Sequence, residues 1–165
     1  MTARMIGCLA RLLPRRKPAL AEASLADAAA IAALHGASFR RGWSEQEIES
    51  LLLDRAVIAD RATSGRRLAG FILSRRAGDE AEILSVAVAK SHRGRGLGRA
   101  LLTRNLRRLA GAGVRTVFLE VDETNTPATC LYRRAGFNEV GRRPNYYPQP
   151  GGSSVAALVL RRDLA

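Results

Sequence analysis

Residues Ser91 to Leu102 read SHRGRGLGRALL, with Gly94, Gly96 and Gly98 set among Arg93, Arg95 and Arg99. Glycine permits left-handed backbone and lets a ligand approach the main chain. A glycine-rich turn between a strand and a helix also gathers the free N–H groups of the helix at its positive pole, which makes an anion site. Arginines there add charge suited to phosphate. A solvated turn with basic decoration is the competing reading of the same residues. Spacing argues against two familiar phosphate loops. The Walker pattern ends in Gly-Lys-Ser/Thr, which is absent. The dinucleotide fingerprint GxGxxG is met by Gly94 and Gly96, but Arg99 stands where its third glycine belongs. Glu120 lies where that fingerprint's ribose-binding acid would fall, yet three earlier strands precede this unit, which is not how a doubly wound domain begins. His35 and His92 are the only histidines, and Cys8 and Cys130 the only cysteines. None has metal-ligand or CxxC spacing, so no metal site or disulfide framework is expected, and a reducing, cytoplasmic setting is. Neither histidine has a partner for nucleophilic catalysis in recognisable context, and Cys130 reads as a small apolar filler.

The elements that must hold this loop follow from periodicity. The stretch AEILSVAVA before it is strongly β-prone, and after it Leu97, Leu101, Leu102, Leu106 and Leu109 recur on one helical face as far as Gly111, with Arg104, Arg107 and Arg108 expected to face outward. Upstream, Pro18–Glu22 reads as a short strand. Ser24 caps an alanine-rich helix ending near Gly36, and Ser44 with Glu47 forms a capping box for a second helix. RAVIAD and RRLAGFILSRR are strands joined by a turn around Thr63, Ser64 and Gly65. Downstream come a strand VRTVFLEV and a helix from Pro127 to Gly136. Two closing strands, FNEVGRR and SSVAALVLRRDL, are expected on either side of a long loop, PNYYPQPGG. The order is βααβββαβαββ, a mixed α/β domain.

The chain has 165 residues, 47% of them hydrophobic, which suits one domain with a real core. Its net charge is +12, and of 27 basic residues only Lys17 and Lys90 are lysine. Such a field attracts polyanions. The arginines are spread along the chain rather than clustered, so direct nucleic-acid binding is not expected as the main function. At the N-terminus the apolar run Met5–Leu13 is broken by Arg11, and Arg15, Arg16 and Lys17 follow it. That order is wrong for a secretory signal, and no run is long enough to span a bilayer. Residues 1–17 are expected to be an extension, loose or a short amphipathic helix, preceding a domain of residues 18–165. Met5 is an alternative start.

Two motifs carry a family resemblance. Arg93-x-x-Gly96-x-Gly98 resembles the R/Q-x-x-G-x-G/A loop of the GNAT acyltransferases. NTPATCLYRRAGF, Asn125 to Phe137, fits that superfamily's N-x-x-A-x-x-L-Y-x-x-x-G-F at every fixed position. Within the superfamily the chain most resembles the ribosomal-protein-alanine N-acetyltransferases, or RimI-like enzymes. It shares with them Trp43-Ser44, SVAV, RGRGLGRALL, LEV and NYYP. The resemblance implies the GNAT fold, a mixed, mostly antiparallel sheet of about seven strands with about four helices. It also implies acetyl-CoA as co-substrate and, as acceptor, the N-terminal α-amine of a small-subunit ribosomal protein, acted on by a monomer or weak dimer. Gly42 replaces a proline common in relatives, and Ser153 and Ser154 stand where an acidic residue is common. A basic substrate would also meet a basic enzyme, unless Glu45, Glu47 and Glu49 make the site locally acidic. Acetylation of a small amine or a lysine side chain, or a non-catalytic CoA- or nucleic-acid-binding role, therefore remain alternatives.

The resemblance assigns roles residue by residue. Glu120, otherwise readable as a surface glutamate, is the general base. Tyr132, otherwise a packing aromatic, protonates the departing thiolate. Asn125, otherwise a turn or cap residue, binds the cofactor. The backbones of Val86, Ala87 and Val88 hold the pantetheine arm as an added half-strand. Arg93, Gly94, Arg95, Gly96, Leu97, Gly98 and Arg99 grip the pyrophosphate, mainly through main-chain N–H groups. Trp43, Tyr146 and Tyr147 are candidates for the acceptor pocket.

Overall fold

A computed structural model describes residues 17–164. The expected N-terminal extension lies outside the described residues except for Lys17. The elements are β1 (Ala19–Glu22), α1 (Ala28–Ser38), α2 (Glu45–Leu53), β2 (Val57–Ser64), β3 (Arg67–Ala77), β4 (Glu80–Val88), α3 (Leu97–Gly111), β5 (Thr116–Asp122), α4 (Thr126–Arg134), β6 (Asn138–Pro148) and β7 (Ser154–Asp163). This is the order expected from the sequence. The strands form a 7-stranded sheet in the order β1-β2-β3-β4-β5-β7-β6, in which β4–β5 is the parallel pair.

Local chemistry sets most boundaries. Ser44 Oγ accepts from the Glu47 N–H at 3.2 Å while Glu47 accepts from the Ser44 N–H at 2.7 Å, so the capping box forms and starts α2. Asp27 accepts from the Ser24 N–H at 2.8 Å in the same way ahead of α1. That helix runs past Gly36 to Ser38, its end closed by the Phe39 N–H donating to the His35 carbonyl at 3.0 Å. Leu97, Leu101, Leu102, Leu106 and Leu109 are all buried on one side of α3, which packs on β2, β3 and β4. Arg104 and Arg108 do not face outward as expected. Both reach back to Asp60, a fully buried carboxylate on β2, at 2.8 Å each. Arg107 alone of the three is exposed.

Residues 144–148 were expected in a loop but belong to β6. Tyr147 pairs with Val155 and Pro148 with Ser154, after a register shift beyond Arg143. Prolines are tolerated because β6 is the sheet's edge strand, where a missing N–H costs no ladder bond. Cys130 is exposed on α4 and fills no core space.

Two hydrophobic clusters cover the two faces of the sheet. One joins α3 and α4 to Ile72, Ile83, Leu119, Val121 and Leu160. The other joins Ile31 and Ile48 of α1 and α2 to Phe71, Leu73 and Ala87. Side chains alternate between these faces, so each strand residue can be assigned to one of them.

Candidate active site

The parallel strands β4 and β5 pair only over Glu80–Glu82 and Thr116–Phe118. Beyond that they part. Against β3, Leu73 lies opposite Ser85 and Ser74 opposite Ile83, so Leu84 is an extra residue in β4. Such a bulge bends its strand and ends regular pairing. Val86, Ala87 and Val88 remain paired to β3 through Ile72, Phe71 and Gly70, but their edge toward β5 is open. An open edge is a template for an extended chain.

Just past this edge, Arg93 turns its guanidinium back and donates to the Val88 carbonyl at 2.9 Å. Gly94 and Gly96 take φ of +70° and +77°. The left-handed Gly96 caps α3, and Ala100 is the first to bond back, to the Gly96 carbonyl at 3.0 Å. The N–H groups of Gly96, Leu97, Gly98 and Arg99 are therefore the four unpaired donors of a helix start. Leu97 is buried and offers only its backbone, and Gly98 sits against Leu131 and Val88. Arg95 and Arg99 are exposed beside these donors. A cavity of about 730 Å³ opens between this loop and β1, lined by Ser91, His92, Arg95 and Gly96 on one side and Pro18 and Leu20 on the other. Glu120, Tyr132 and Tyr147 do not line it, so it lies apart from them, between the anion loop and β1.

Leu119 and Val121 lie in the cluster under α3 and α4, so Glu120 between them faces the α1–α2 side, as alternation required. Glu120 pairs with Arg143 on β6, Nε to carboxylate 2.9 Å. Register places Arg143 opposite Ala157, itself opposite Asp122 on the same face. Tyr147 follows on that strand, its ring 5.1 Å from Tyr146 at 88°. Tyr132 comes from the other face. It is 8% exposed, packed edge-on to Phe137. Burial, aided by Tyr147, pushes its hydroxyl up to about 12. Tyr147 is itself raised by burial and by the charges of Glu120, Tyr146 and Asp122. Tyr147 thus raises Tyr132 and is itself raised by Glu120, which lies on the α1–α2 face while Tyr132 lies in the cluster on the other.

Asn125 caps α4, accepting from the Ala128 N–H at 3.2 Å, which commits its oxygen, while among the described residues its exposed amide NH₂ has no partner. Trp43 sits on the α1–α2 face, stacked on His35 at 4.3 Å, against the cluster that includes Ala87. Tyr146 is exposed beneath the Arg143 guanidinium and is peripheral to Tyr147. Sequence reasoning missed Arg143 and His35. Arg143 was hidden because the residues after it were read as loop, and reading the strand on through Tyr147 exposes it. Among the described residues no cluster of histidine, cysteine and carboxylate side chains could hold a metal, and no helix is long and apolar enough to cross a membrane.

The sequence matches the family model described as the Acetyltransferase (GNAT) family over residues 28–137. It is similar to the [ribosomal protein bS18]-alanine N-acetyltransferase of Haemophilus influenzae, 39% identical over 94 residues, covering 57% of this chain and 64% of that protein. The enzyme of that name from Escherichia coli is 36% identical over 117 residues, covering 71% of this chain and 78% of the relative. A crystal structure of the ribosomal-protein-S18-alanine N-acetyltransferase from Escherichia coli superposes with a TM-score of 0.83 at 29% identity, over 90% of this chain and 94% of that one.

Proposed function

Because the chain belongs to the GNAT acetyltransferase family, we propose that it moves an acetyl group from acetyl-CoA to the N-terminal α-amine of a ribosomal protein in the cytoplasm. One observation supports this most. Glu120 stands on β5 just past its last pairing with β4, on the α1–α2 face, and the buried phenol of Tyr132 belongs to the cluster on the other face. The acceptor named for the similar bacterial enzymes supplies the substrate class.

The residues fit acetyl-CoA. The open edge of Val86–Val88 can hold an extended pantetheine arm, and the free N–H groups at Gly96–Arg99 can hold its pyrophosphate. Bound there, the thioester supplies an activated acetyl carbonyl. A free α-amine has a pKa of about 8 and is mostly protonated at neutral pH. Glu120 takes a proton from it on the α1–α2 face, directly or through water, so the nitrogen lone pair can form the amide bond. As the C–S bond breaks, Tyr132 donates to the sulfur. Its hydroxyl, held up at about 12, is protonated throughout the working range. Nitrogen gives up two protons, one to free its lone pair and one as the amide forms; one is balanced by the proton sulfur gains from Tyr132, the other is released, and solvent restores both side chains. Trp43 and Tyr147 wall the acceptor side.

The test is a thiol-release assay with acetyl-CoA. The acceptors are a peptide with the N-terminus of the cognate ribosomal protein, the same peptide with its α-amine blocked, and free small amines. Turnover only on the free N-terminus, lost in Glu120→Gln and Tyr132→Phe, supports the proposal. Turnover on small amines alone replaces the acceptor and keeps the chemistry.

A further inference from the structure

The segment between α1 and α2, residues 39–43, is held at both ends by groups that the chemistry above does not use. At one end His35, 4% exposed, lies between Phe39 (ring centroids 4.5 Å apart) and Trp43 (4.3 Å, 14° between planes), with Phe71 of β3 at 6.3 Å. Its Nδ1 accepts the Trp43 backbone N–H at 3.1 Å. At the other, the Arg40 guanidinium donates to the Pro148 carbonyl at the end of β6. Pro148 lies opposite Ser154, three residues beyond Ala157, the partner of Asp122, so in the sheet order β3-β4-β5-β7-β6 a link from the face of β3 to the end of β6 passes at the C-terminal end of β5. Glu120 faces that same side.

We infer that His35 is a positioning residue for the acceptor: its unprotonated Nδ1 carries Trp43 and hangs residues 39–43 as a strap over the face that bears Glu120. The inference rests on the acetyltransferase reading above. An imidazole can accept at Nδ1 only while that nitrogen is bare. Protonation turns it into a donor facing another N–H and removes the bond. Burial lowers the proton affinity of His35 below the ordinary 6.5, opposed by the charge of Glu47 on α2. Arg41 of the strap acts in turn on Glu47, and on β3 the apolar ring of Phe71 stacks toward His35. With the released histidine titrating near 6.5 and the held one lower, the strap is fully held above about 6.5. It is lost as pH falls through the lowered value.

Trp43 is the only tryptophan in the chain, so its fluorescence reports the strap without any acceptor. The full chain is titrated from about pH 8 to about pH 5, following acrylamide quenching of Trp43 and the KM values for peptide acceptor and acetyl-CoA. Quenching and acceptor KM are expected to rise together below about 6.5, with acetyl-CoA KM flat. His35→Gln keeps an acceptor atom and should lose the acid transition. The ammonium titration of the peptide affects both proteins equally, so their ratio isolates His35. His35→Phe keeps the stack and loses the acceptor atom, raising acceptor KM about 5- to 30-fold near neutral pH with acetyl-CoA KM unchanged. Absence of the Trp43 transition in the wild type, its persistence in His35→Gln, or a flat acceptor KM while Trp43 titrates each overturns the inference. If no amine is turned over, the acetyltransfer proposal fails, and the fluorescence still decides whether the strap hangs on His35.

Discussion

Asp60→Asn tests how the helix that presents the anion loop is secured. Asp60 is 0% exposed on β2. One carboxylate oxygen receives Arg104 Nε and Arg108 Nη1, each at 2.8 Å, and the other receives Asn105 Nδ2 at 2.9 Å. Asn105 accepts from the Ser74 hydroxyl at 2.6 Å, and Arg108 also reaches Glu22 at 2.8 Å, so β1, β2, β3 and α3 meet at one charge. Removing one member of a buried ion pair costs about 3–5 kcal/mol, because the partner charge stays behind. Here the side chains of Arg104 and Arg108 are 36% and 26% exposed, so water relieves part of that, and a loss near the lower end, about 3 kcal/mol, is expected. At roughly 2–4 °C per kcal/mol for a chain of this size, the melting point should fall by about 6–12 °C. Urea unfolding followed by circular dichroism, with an unchanged m-value, measures the same loss independently. Arg104→Met and Arg108→Met should each cost only about 1 kcal/mol, since the carboxylate keeps its other guanidinium. A loss below about 1 kcal/mol for Asp60→Asn, at constant m-value, would refute the reasoning.

Glu120→Gln is expected to lower kcat by about 10²- to 10⁴-fold without altering acetyl-CoA affinity, measured by initial rates and isothermal titration. With the Tyr132 hydroxyl at about 12 and functional when protonated, kcat should show no alkaline limb from this group below about pH 11; a limb between pH 8 and 10 that disappears in Tyr132→Phe counts against its role. Gly96→Ala meets no atom within 4 Å, yet forces a side chain into φ +77°. The strain, about 1–2 kcal/mol, should surface as a higher acetyl-CoA KM with acceptor KM unchanged. Arg143→Gln frees Glu120 of an exposed competing cation. Its acceptor KM should drop by no more than about fivefold, and a rise would mean that Arg143 binds the acceptor instead.

What local rules govern was legible without a structure. The capping box at Ser44 and Glu47, the leucine face from Leu97 to Leu109 and the alternation around Glu120 depend on neighbours a few residues apart, and each is found where spacing placed it. The glycine loop and the Asn125–Phe137 motif likewise point from sequence alone to a GNAT domain and its nucleotide end. The parting of β4 from β5 is another matter. It depends on one extra residue, Leu84, that no pattern in a single strand distinguishes from its neighbours. The arginines of α3 look outward by helical period, but a carboxylate buried some forty residues earlier draws two of them inward, and long-range electrostatics outweighs the amphipathic pattern. The residues Pro144 to Pro148 carry loop chemistry, and only pairing with β7 makes them a strand, which in turn brings Arg143 to Glu120 and Tyr147 toward Tyr132. Sequence therefore determined the chemical groups and the elements apart from the end of β6. Tertiary structure decided which of those groups meet, because their meeting depends on strand register and on charges far apart in the chain.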